Sequence, residues 1–171
     1  MRVFLTGFMG SGKSFSGLRL AAKMGLPFID LDDLLEQRAG MPITRLFANH
    51  GEAHFRQLEA QLLRGFDTLP MFVVATGGGT PCFHDNMEWM NQHGLTVFID
   101  PTVDIIARRL SKERDKRPLL HGGDDLVSLI ETKLQSRRSC YEKATYHVRQ
   151  TNPKQDMVRL IDALLQQPDA F

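Results

Sequence analysis

Gly7-Phe8-Met9-Gly10-Ser11-Gly12-Lys13-Ser14 joins two segments of different apolar spacing. The continuous apolar run 3–5 precedes it, and apolar residues at helical spacing follow it over 18–24. The pattern G-x-x-x-x-G-K-S/T between such segments predicts a strand, a glycine loop and a helix. Glycines let the backbone turn inward, so that successive N–H groups and the helix N-terminus face one polyphosphate. The sequence therefore predicts a phosphate-binding loop.

The side chains of this loop supply the chemistry that a nucleotide requires. Lys13 is expected to reach the β- and γ-phosphate oxygens of ATP, and Ser14 is expected to be a ligand of Mg²⁺. The other expected contacts with the nucleotide come from Phe8, Met9, Gly10, Ser11 and Gly12. A plain glycine turn, with Lys13 as an exposed first residue of the helix, is the alternative interpretation. The complete motif in its strand-to-helix setting argues against that alternative.

The composition of the chain is that of a globular protein. With 171 residues, of which 42% are hydrophobic and 24% charged, it is expected to form a single domain over residues 1–171. The net charge of +1 gives no general excess of cations, so nucleic acid is not an expected partner. We expect a monomer with a small-molecule substrate.

The sequence also indicates a compartment. Glycines from Gly7 onward interrupt the N-terminal apolar run too early for a signal peptide, and no stretch approaches the roughly 18 apolar residues of a membrane helix. Cys82 and Cys140 are too few for a disulfide framework, which favours a reducing compartment. We therefore expect a cytoplasmic protein without membrane contact, in which both cysteines serve packing.

Strand and helix patterns alternate along the whole chain. Apolar segments at 27–30, 72–76, 95–100 and 146–149 are predicted as further strands. Helices are predicted between them, including two separate ones over about 43–49 and 52–66 and one that begins at Pro101. This alternation indicates an α/β fold, a doubly wound five-stranded parallel sheet flanked by helices. The polar segment 111–125 breaks the rhythm and is predicted to be a mobile loop.

Carboxylates follow the second predicted strand as Asp30-Leu31-Asp32-Asp33. Ligands of open α/β sheets bind at the C-terminal ends of the strands, so these side chains are expected beside the phosphate loop. One carboxylate can hold Mg²⁺, and another can orient an acceptor hydroxyl and take its proton. Capping of the next helix by Asp32 or Asp33 is an equally acceptable role for a single aspartate.

Arg56 and a glycine triplet are further candidates. Arg56 is one helical turn from Glu52 and from Glu59, so it forms either surface ion pairs or a guanidinium that is fixed for a substrate carboxylate. Three glycines, Gly77, Gly78 and Gly79, follow the third strand. They either present free backbone N–H groups to a ligand or form only a tight turn.

Arginines near the end of the chain complete the set of candidates. Arg117, beside Pro118, can neutralise charge on the migrating phosphoryl group when the loop closes. Arg137 and Arg138 supply a second cation for the acceptor, or only the polar face of a helix.

Six stretches in this order resemble the shikimate kinase family: GFMGSGKS, DLDDLLEQRAG, LFANHGEAHFRQLE, TGGGT, RPLL and RRSCYEKA. The resemblance implies ATP-dependent phosphorylation of the 3-hydroxyl of shikimate, a step toward chorismate and the aromatic amino acids. It also implies a P-loop fold similar to nucleoside monophosphate kinases, with a substrate-binding region at about 31–62 and a lid at about 111–125.

The resemblance implies a role for each matching residue. Lys13 and Ser14 hold phosphate and Mg²⁺, Asp30 lies near the metal, and Asp32 acts on the substrate hydroxyl. Arg117 matches the lid arginine, so that Lys13, Asp32 and Arg117 form the expected catalytic set. The residues expected to bind the substrate are Asp32, Arg56, Gly77, Gly78, Gly79 and Arg137. The resemblance implies contacts with adenine at Arg109 and in the region of Asn152 and Pro153. Arg137 is preferred to Arg138 because it precedes Tyr141 by four residues, whereas the extra Asp33 leaves the division of roles among the carboxylates open.

Two other functions share part of this pattern. A related P-loop kinase for gluconate or a nucleoside monophosphate would have the same fold and loop. A nucleotide-dependent switch would bind ATP and yield no phosphorylated product. Phosphorylation of gluconate or of a nucleoside monophosphate far faster than of shikimate would contradict the assignment of Arg56 and Arg137 to the shikimate carboxylate. The acceptor-side arginines and the acidic pair argue against a switch.

Overall fold

The computed structural model describes residues 1–112 and 126–166, and a five-stranded sheet lies at its centre. Every strand is parallel to its neighbours, and the spatial order is β2-β3-β1-β4-β5. The strands are β1 (Arg2–Thr6), β2 (Phe28–Asp30), β3 (Phe72–Ala75), β4 (Leu95–Pro101) and β5 (Tyr146–Gln150). The predicted α/β class and the number of strands are confirmed.

Helices connect the strands and cover both faces of the sheet. In the two described segments they are α1 (Lys13–Met24), α2 (Leu31–Ala39), α3 (Ile43–Arg64), α4 (Asn86–His93), α5 (Val103–Ser111), α6 (Leu126–Tyr141) and α7 (Met157–Leu165). Two 3-10 helices, Gly65–Thr68 and Thr80–Cys82, precede β3 and α4.

Alternation of side chains along β1 divides the core into two layers. Val3 and Leu5 point to one face, where they pack with α1 and α7. Phe4 points to the other face, where it packs with α2, α3 and α4. Both layers are fully buried, which explains why the strands are continuous apolar runs in the sequence.

The strand register brings several chain segments to one edge of the sheet. Ala75 at the end of β3 pairs with Asp30 of β2 on one side and with Leu5 of β1 on the other. Thr6 at the end of β1 pairs with Phe98 of β4. The loops that follow β1, β2 and β3 therefore leave the sheet side by side, and they contain most of the candidate residues.

Two local predictions need correction, and a third is confirmed. Pro101 ends β4 instead of opening α5, because it continues the pairing with Gln150 and Thr102 is the N-cap. The predicted separation of the helices 43–49 and 52–66 is confirmed, because Gly51, whose φ of 78° and ψ of 171° are not helical, interrupts α3 between them. Helix α2 is capped by Asp30, not by Asp32 or Asp33.

Part of the predicted lid, residues 113–125, lies outside the described residues, and with it Arg117. None of the helices in the described ranges is long and apolar enough to cross a bilayer.

The two faces of α1 give a test of this packing. Leu20 is fully buried and Leu18 is 57% exposed on the same helix. We expect Leu20→Ala to lower the free energy of unfolding by about 2–5 kcal/mol through lost burial and a cavity. Leu18→Ala should change it by less than about 0.5 kcal/mol. Urea denaturation followed by circular dichroism measures both, and equal effects would contradict the assignment of the faces.

Candidate active site

The phosphate loop follows β1, and at two of its positions the backbone conformation or the close packing favours glycine. Gly7 has φ 139°, and a Cβ atom there would lie 2.5 Å from the carbonyl oxygen of Ile99 in the adjacent strand. Gly12 has φ 96° and is the N-cap of α1. A side chain is excluded sterically at Gly7 and disfavoured at Gly12. The loop is thus fitted tightly between β4 and the first turn of α1.

Lys13 is held inside this loop. Its side chain is largely buried, and Nζ donates hydrogen bonds to the carbonyl oxygens of Gly7 at 2.8 Å and Phe8 at 2.9 Å. The alternative of an exposed first helical residue is therefore wrong. The ammonium lies against the curved backbone that binds phosphate oxygens in loops of this kind.

Ser14 and Asp30 bring a hydroxyl and a carboxylate together beside the loop. Ser14 Oγ donates a hydrogen bond to Asp30 Oδ2, and Asp30 Oδ1 accepts one from the backbone N–H of Asp32 at 3.0 Å. The cap of α2 thus fixes the Asp30 side chain. Because Asp30 provides the cap, the Asp32 carboxylate is not required for it, whereas Asp33 lies on the exposed face of α2.

A cleft of about 780 Å³ extends from Asp30 and Asp32 across the phosphate loop to residues 153–158. Arg109 and Gln150 also line it. Pro153, another lining residue, lies in the region that the resemblance assigns to adenine. Its lining joins the phosphate loop to the residues before and at the start of α7, as a nucleotide site of this kind requires.

Arg109 braces the loop from the side of α5. Its Nη1 donates to the carbonyl oxygens of Gly10 at 3.1 Å and Ser11 at 2.9 Å, and Nη2 donates to Gln150 Oε1 at 2.9 Å. Burial lowers the pKa of this guanidinium from its ordinary value. Sequence reasoning missed Gln150, since a glutamine at the end of an edge strand carries no motif.

Arg56 lies at the other side of the site, in a buried frame. Nη1 donates to Glu59 at 2.6 Å, and Nε and Nη2 donate to Glu52 at 3.2 and 3.1 Å. The ring centroid of Phe83 lies 4.6 Å from the guanidinium carbon. Because Arg56 is only 8% exposed and Glu59 1% exposed, the alternative of a surface ion pair is wrong for Glu59.

Glu59 connects Arg56 to the glycine triplet. Its buried carboxylate also accepts a hydrogen bond from the Thr80 hydroxyl. Burial raises the pKa of Glu59, although Arg56 and Thr80 act in the opposite direction. Thr80 is a second residue that sequence reasoning missed, because its partner is 21 residues away along the chain.

The turn Gly77-Gly78-Gly79 touches every part of this arrangement. A Cβ atom at Gly77 would lie 2.8 Å from Asp32 Oδ1, and one at Gly79 would lie 2.5 Å from Arg56 Nη2. A Cβ atom at Gly78 would lie 3.2 Å from the backbone nitrogen of Met9 in the phosphate loop. The triplet therefore lies between the phosphate loop and Arg56, with no room for a side chain at Gly77 or Gly79 unless a neighbour moves.

The two adjacent arginines of α6 have different surroundings. Arg137 Nη1 approaches the carbonyl oxygen of Gly78 at 3.5 Å, and Tyr141, one turn later, donates its hydroxyl proton to the same oxygen. Arg138 binds Asp100 through both terminal nitrogens, at 3.2 and 3.3 Å. Arg137 thus faces the candidate site, whereas Arg138 is engaged elsewhere.

Asp100 anchors α6 to the sheet. It is 1% exposed, and besides Arg138 it accepts hydrogen bonds from His147 Nε2 at 2.9 Å and from Arg149. Burial opposes ionisation of Asp100, but the hydrogen bonds from these three cationic or polar partners outweigh it and hold its pKa below the ordinary value. This network fixes the side of α6 that carries Arg138 and leaves Arg137 toward the glycine turn.

A P-loop, a carboxylate pair and a buried guanidinium around one parallel sheet define the class of P-loop phosphotransferases. Comparison with known proteins gives the family: residues 9–166 match the family model described as shikimate kinase. The chain belongs to the shikimate kinase family.

Relatives and solved structures agree with this family. The chain is 43% identical over 148 residues to the shikimate kinase of Bacteroides thetaiotaomicron, covering 85% of each protein. The crystal structure of shikimate kinase from that organism superposes with a TM-score of 0.91 and 38% identity, covering 98% of this chain and 99% of the other. A shikimate kinase from Acinetobacter baumannii, solved in complex with shikimate, has a TM-score of 0.85 and 31% identity and covers 96% and 90%.

The anchor at Asp100 generates a pH-dependent prediction. A carboxylate whose folded-state pKa is depressed stabilises the fold above its unfolded-state pKa, and this contribution is lost as the pH falls through the folded-state pKa. We expect Asp100→Asn to lower the free energy of unfolding by about 3 kcal/mol at pH 7. This value is at the low end for the loss of one partner of a buried ion pair, because Arg138 and Arg149 are partly exposed.

Urea denaturation between pH 7 and pH 3 measures this effect. The difference in free energy of unfolding between wild type and Asp100→Asn should be constant near neutrality and shrink as the pH falls below about 3.8, the ordinary pKa of an aspartate. Glu142→Gln is the matched control, since it removes only the exposed partner of Arg138 and should cost less than about 1 kcal/mol. A gap of the same size at every pH would contradict the role of the Asp100 charge.

Proposed function

We propose that this protein transfers the γ-phosphoryl group of ATP to the 3-hydroxyl of shikimate, giving shikimate 3-phosphate and ADP. One observation carries the proposal: the glycine turn contacts the phosphate loop through Gly78 and the buried guanidinium of Arg56 through Gly79. A phosphate donor and an anionic acceptor bound at these two points would lie on opposite sides of one turn, close enough for direct transfer.

On the donor side, the loop and Lys13 bind the triphosphate. Main-chain N–H groups from Met9 to Ser14 would surround the phosphates, and Lys13 would exchange its bonds to loop carbonyls for β- and γ-phosphate oxygens. Arg109 lines the cleft and holds the loop by its carbonyls at Gly10 and Ser11. Its role is to position the loop and to limit the space available to the nucleotide.

The residues present also fit Mg²⁺. Ser14 and Asp30 offer a hydroxyl and a carboxylate, the hard oxygen ligands that Mg²⁺ prefers, and they already contact each other. Within 1–112 and 126–166 no cluster of three or more acidic, His or Cys side chains could hold a metal, which suits an ion that keeps waters and phosphate oxygens as its other ligands. When bound, Mg²⁺ would neutralise charge that develops between the β- and γ-phosphates.

On the acceptor side, Arg56 and Arg137 would bind the shikimate carboxylate. The planar fork of Arg56 is oriented by Glu52 and Glu59, so little entropy remains to be lost on binding. Asp32, beside Gly77 at the end of the cleft, would accept a hydrogen bond from the 3-hydroxyl and take its proton during transfer. The N–H groups of the glycine turn would hold the substrate between these ends.

The proposal also includes the domain, the oligomeric state, the compartment and the lid that the sequence predicts. Residues 1–171 would form one domain and a monomer in the cytoplasm, with residues 31–62 around the acceptor and residues 111–125 as a lid. Arg117 of that lid would neutralise the migrating phosphoryl group when the lid closes. Closure would also exclude water, which otherwise hydrolyses ATP without product.

The proposal is tested by ADP release with a panel of acceptors. We expect rapid ADP release with shikimate and little with gluconate or a nucleoside monophosphate, and we expect shikimate 3-phosphate as the product. Lys13→Met should retain the fold and lose turnover at least about a hundredfold. Faster phosphorylation of gluconate or of a nucleoside monophosphate, or nucleotide binding with no product from any acid, would refute the proposal.

Arg137 and Arg138 offer a matched pair for the carboxylate site. We expect Arg137→Ala to raise the KM for shikimate about tenfold to a hundredfold, the loss of a charge-assisted hydrogen bond, with the KM for ATP unchanged. Arg138→Ala should leave the KM for shikimate within about twofold of wild type and lower the free energy of unfolding. Steady-state kinetics with each substrate varied separately measures both KM values. The reverse pattern would assign the shikimate carboxylate to Arg138 instead of Arg137.

A further inference from the structure

The segment between the glycine turn and α4 carries an aromatic ring that the proposed reaction does not use. Phe83 is 37% exposed, although the Arg56 side chain that it contacts is buried. The ring centroid lies 4.6 Å from the guanidinium carbon of Arg56, within the distance at which the face of a ring attracts a cation. A partly exposed ring therefore covers the guanidinium that would bind the acceptor acid.

Hydrogen bonds close the short segment 80–86 around Phe83. The Asn86 side chain donates to the carbonyl oxygen of Thr80 at 2.8 Å, and the Asn86 backbone N–H donates to the carbonyl oxygen of Phe83 at 3.0 Å. Thr80 and Asn86 are both fully buried. Phe83 is thus in the middle of a loop whose two ends are bound to each other.

The two residues after Phe83 have a strained backbone. His84 and Asp85 have φ of 50° and 54°, in the left-handed region that residues other than glycine rarely adopt. Such conformations persist where the surrounding structure imposes them. Arg64 supplies this constraint, because Nη2 donates to the carbonyl oxygen of His84 at 2.7 Å and Nη1 donates to the Asn86 side chain.

Helix α3 therefore contacts this loop at two points. Arg64 binds the strained turn, and Arg56, about two helical turns earlier, lies against the ring of Phe83. Because both arginines belong to the same helix, the bond from Arg64 to the turn keeps the ring at a fixed position along that helix. The ring stays over Arg56 as a result.

The hydrogen bonds of Arg56 leave one motion of its guanidinium unrestrained. Glu52 and Glu59 bind the guanidinium at its edges, and the Glu52 side chain is 56% exposed, so this ion pair holds Arg56 only weakly. A planar group that is bound at its edges can still tilt. A ring over its face opposes the tilt and keeps water from that side, which strengthens the attraction of Arg56 for an anion.

We propose that Phe83 is a positioning residue for the acceptor acid. Its ring holds the Arg56 guanidinium at the tilt that a carboxylate requires, and Arg64 keeps the ring there through the strained turn. A guanidinium that is already fixed loses less conformational freedom when it binds the acid. The identity of the acid rests on the proposed function, whereas the contact between Phe83 and Arg56 does not.

Nuclear magnetic resonance of the full chain tests the contact without a substrate. Phe83→Leu keeps an apolar side chain and removes the ring, so the Arg56 Nε–H resonance, identified by its loss in Arg56→Lys, should change its chemical shift. Phe83→Tyr keeps the ring and should leave this resonance close to its wild-type position. An unchanged Arg56 resonance in Phe83→Leu would overturn the proposal.

Isothermal titration measures the effect on the acceptor. We expect Phe83→Leu to weaken shikimate binding about threefold to thirtyfold, the loss of one cation–π contact, and Phe83→Tyr to bind within about twofold of wild type. ADP binding should be unchanged in both variants, since the ring lies at Arg56 on the acceptor side. Circular dichroism checks that each variant is folded.

Phe15 offers the matched control. Its ring centroid lies 3.9 Å from the guanidinium carbon of Arg19 on α1, so Phe15→Leu removes the same kind of contact at another place. This exchange should leave the affinity for shikimate unchanged. An equal loss of shikimate affinity in Phe15→Leu, or a loss in Phe83→Leu that Phe83→Tyr does not restore, would contradict the role of the ring.

A double-mutant cycle tests the role of Arg64. Arg64→Lys keeps the positive charge and loses the fork that binds His84 and Asn86, so it should weaken shikimate binding while Phe83 is present. Combined with Phe83→Leu, it should add no further loss, because Arg64 acts through the ring. Losses that multiply in the double variant would overturn this role of Arg64.

The two measurements separate this inference from the proposed function. A wild-type protein that binds no shikimate would refute the proposed function, and a changed Arg56 resonance in Phe83→Leu would still support the role of the ring in fixing the guanidinium. Shikimate binding that is equally strong in wild type and in folded Phe83→Leu would leave the proposed function intact and overturn the positioning role.

Discussion

The absence of side chains in the turn Gly77-Gly78-Gly79 is the constraint on which the site depends. Each glycine is in contact with a different functional group: Gly77 with Asp32 and Glu59, Gly78 with the backbone of the phosphate loop, and Gly79 with Arg56. A Cβ atom at any of the three would meet one of these groups at 3.2 Å or less. In the proposed reaction, the distance between phosphate donor and acceptor would therefore be set by the backbone of this turn.

The fold places this turn where it can act. Strand β3 lies between β2 and β1, so the turn after β3 emerges between the carboxylates that follow β2 and the phosphate loop that follows β1. Helices α3 and α6 then bring Arg56 and Arg137 to it from the side. Each helix is tied to its surroundings by a buried carboxylate. Glu59 of α3 orients Arg56 and accepts a hydrogen bond from Thr80, and Asp100 of β4 binds Arg138 of α6. Desolvation of these carboxylates is tolerable because each accepts several hydrogen bonds.

The sequence predicted the parts that are local in the chain. The phosphate loop, the five strands and the carboxylates after β2 depend on spacing within a dozen residues, and all of these elements are present in the structure. The different environments of Arg137 and Arg138 could not be predicted from local spacing, because Arg138 binds Asp100, which lies 38 residues earlier in the chain. Burial of the pair Arg56–Glu59 was equally hidden, since i,i+3 spacing on a helix is the same at the surface and in the core. Contacts between distant segments decide both cases, and spacing along one chain does not contain them.

The central claim is that the glycine turn sets the acceptor site through its contact with Arg56. Isothermal titration of Gly79→Ala with shikimate, and separately with ADP, tests it most directly, since the added methyl group must displace the guanidinium of Arg56. The account predicts shikimate binding weaker by roughly tenfold or more and ADP binding close to that of wild type. Unchanged affinity for shikimate in a folded variant would contradict it.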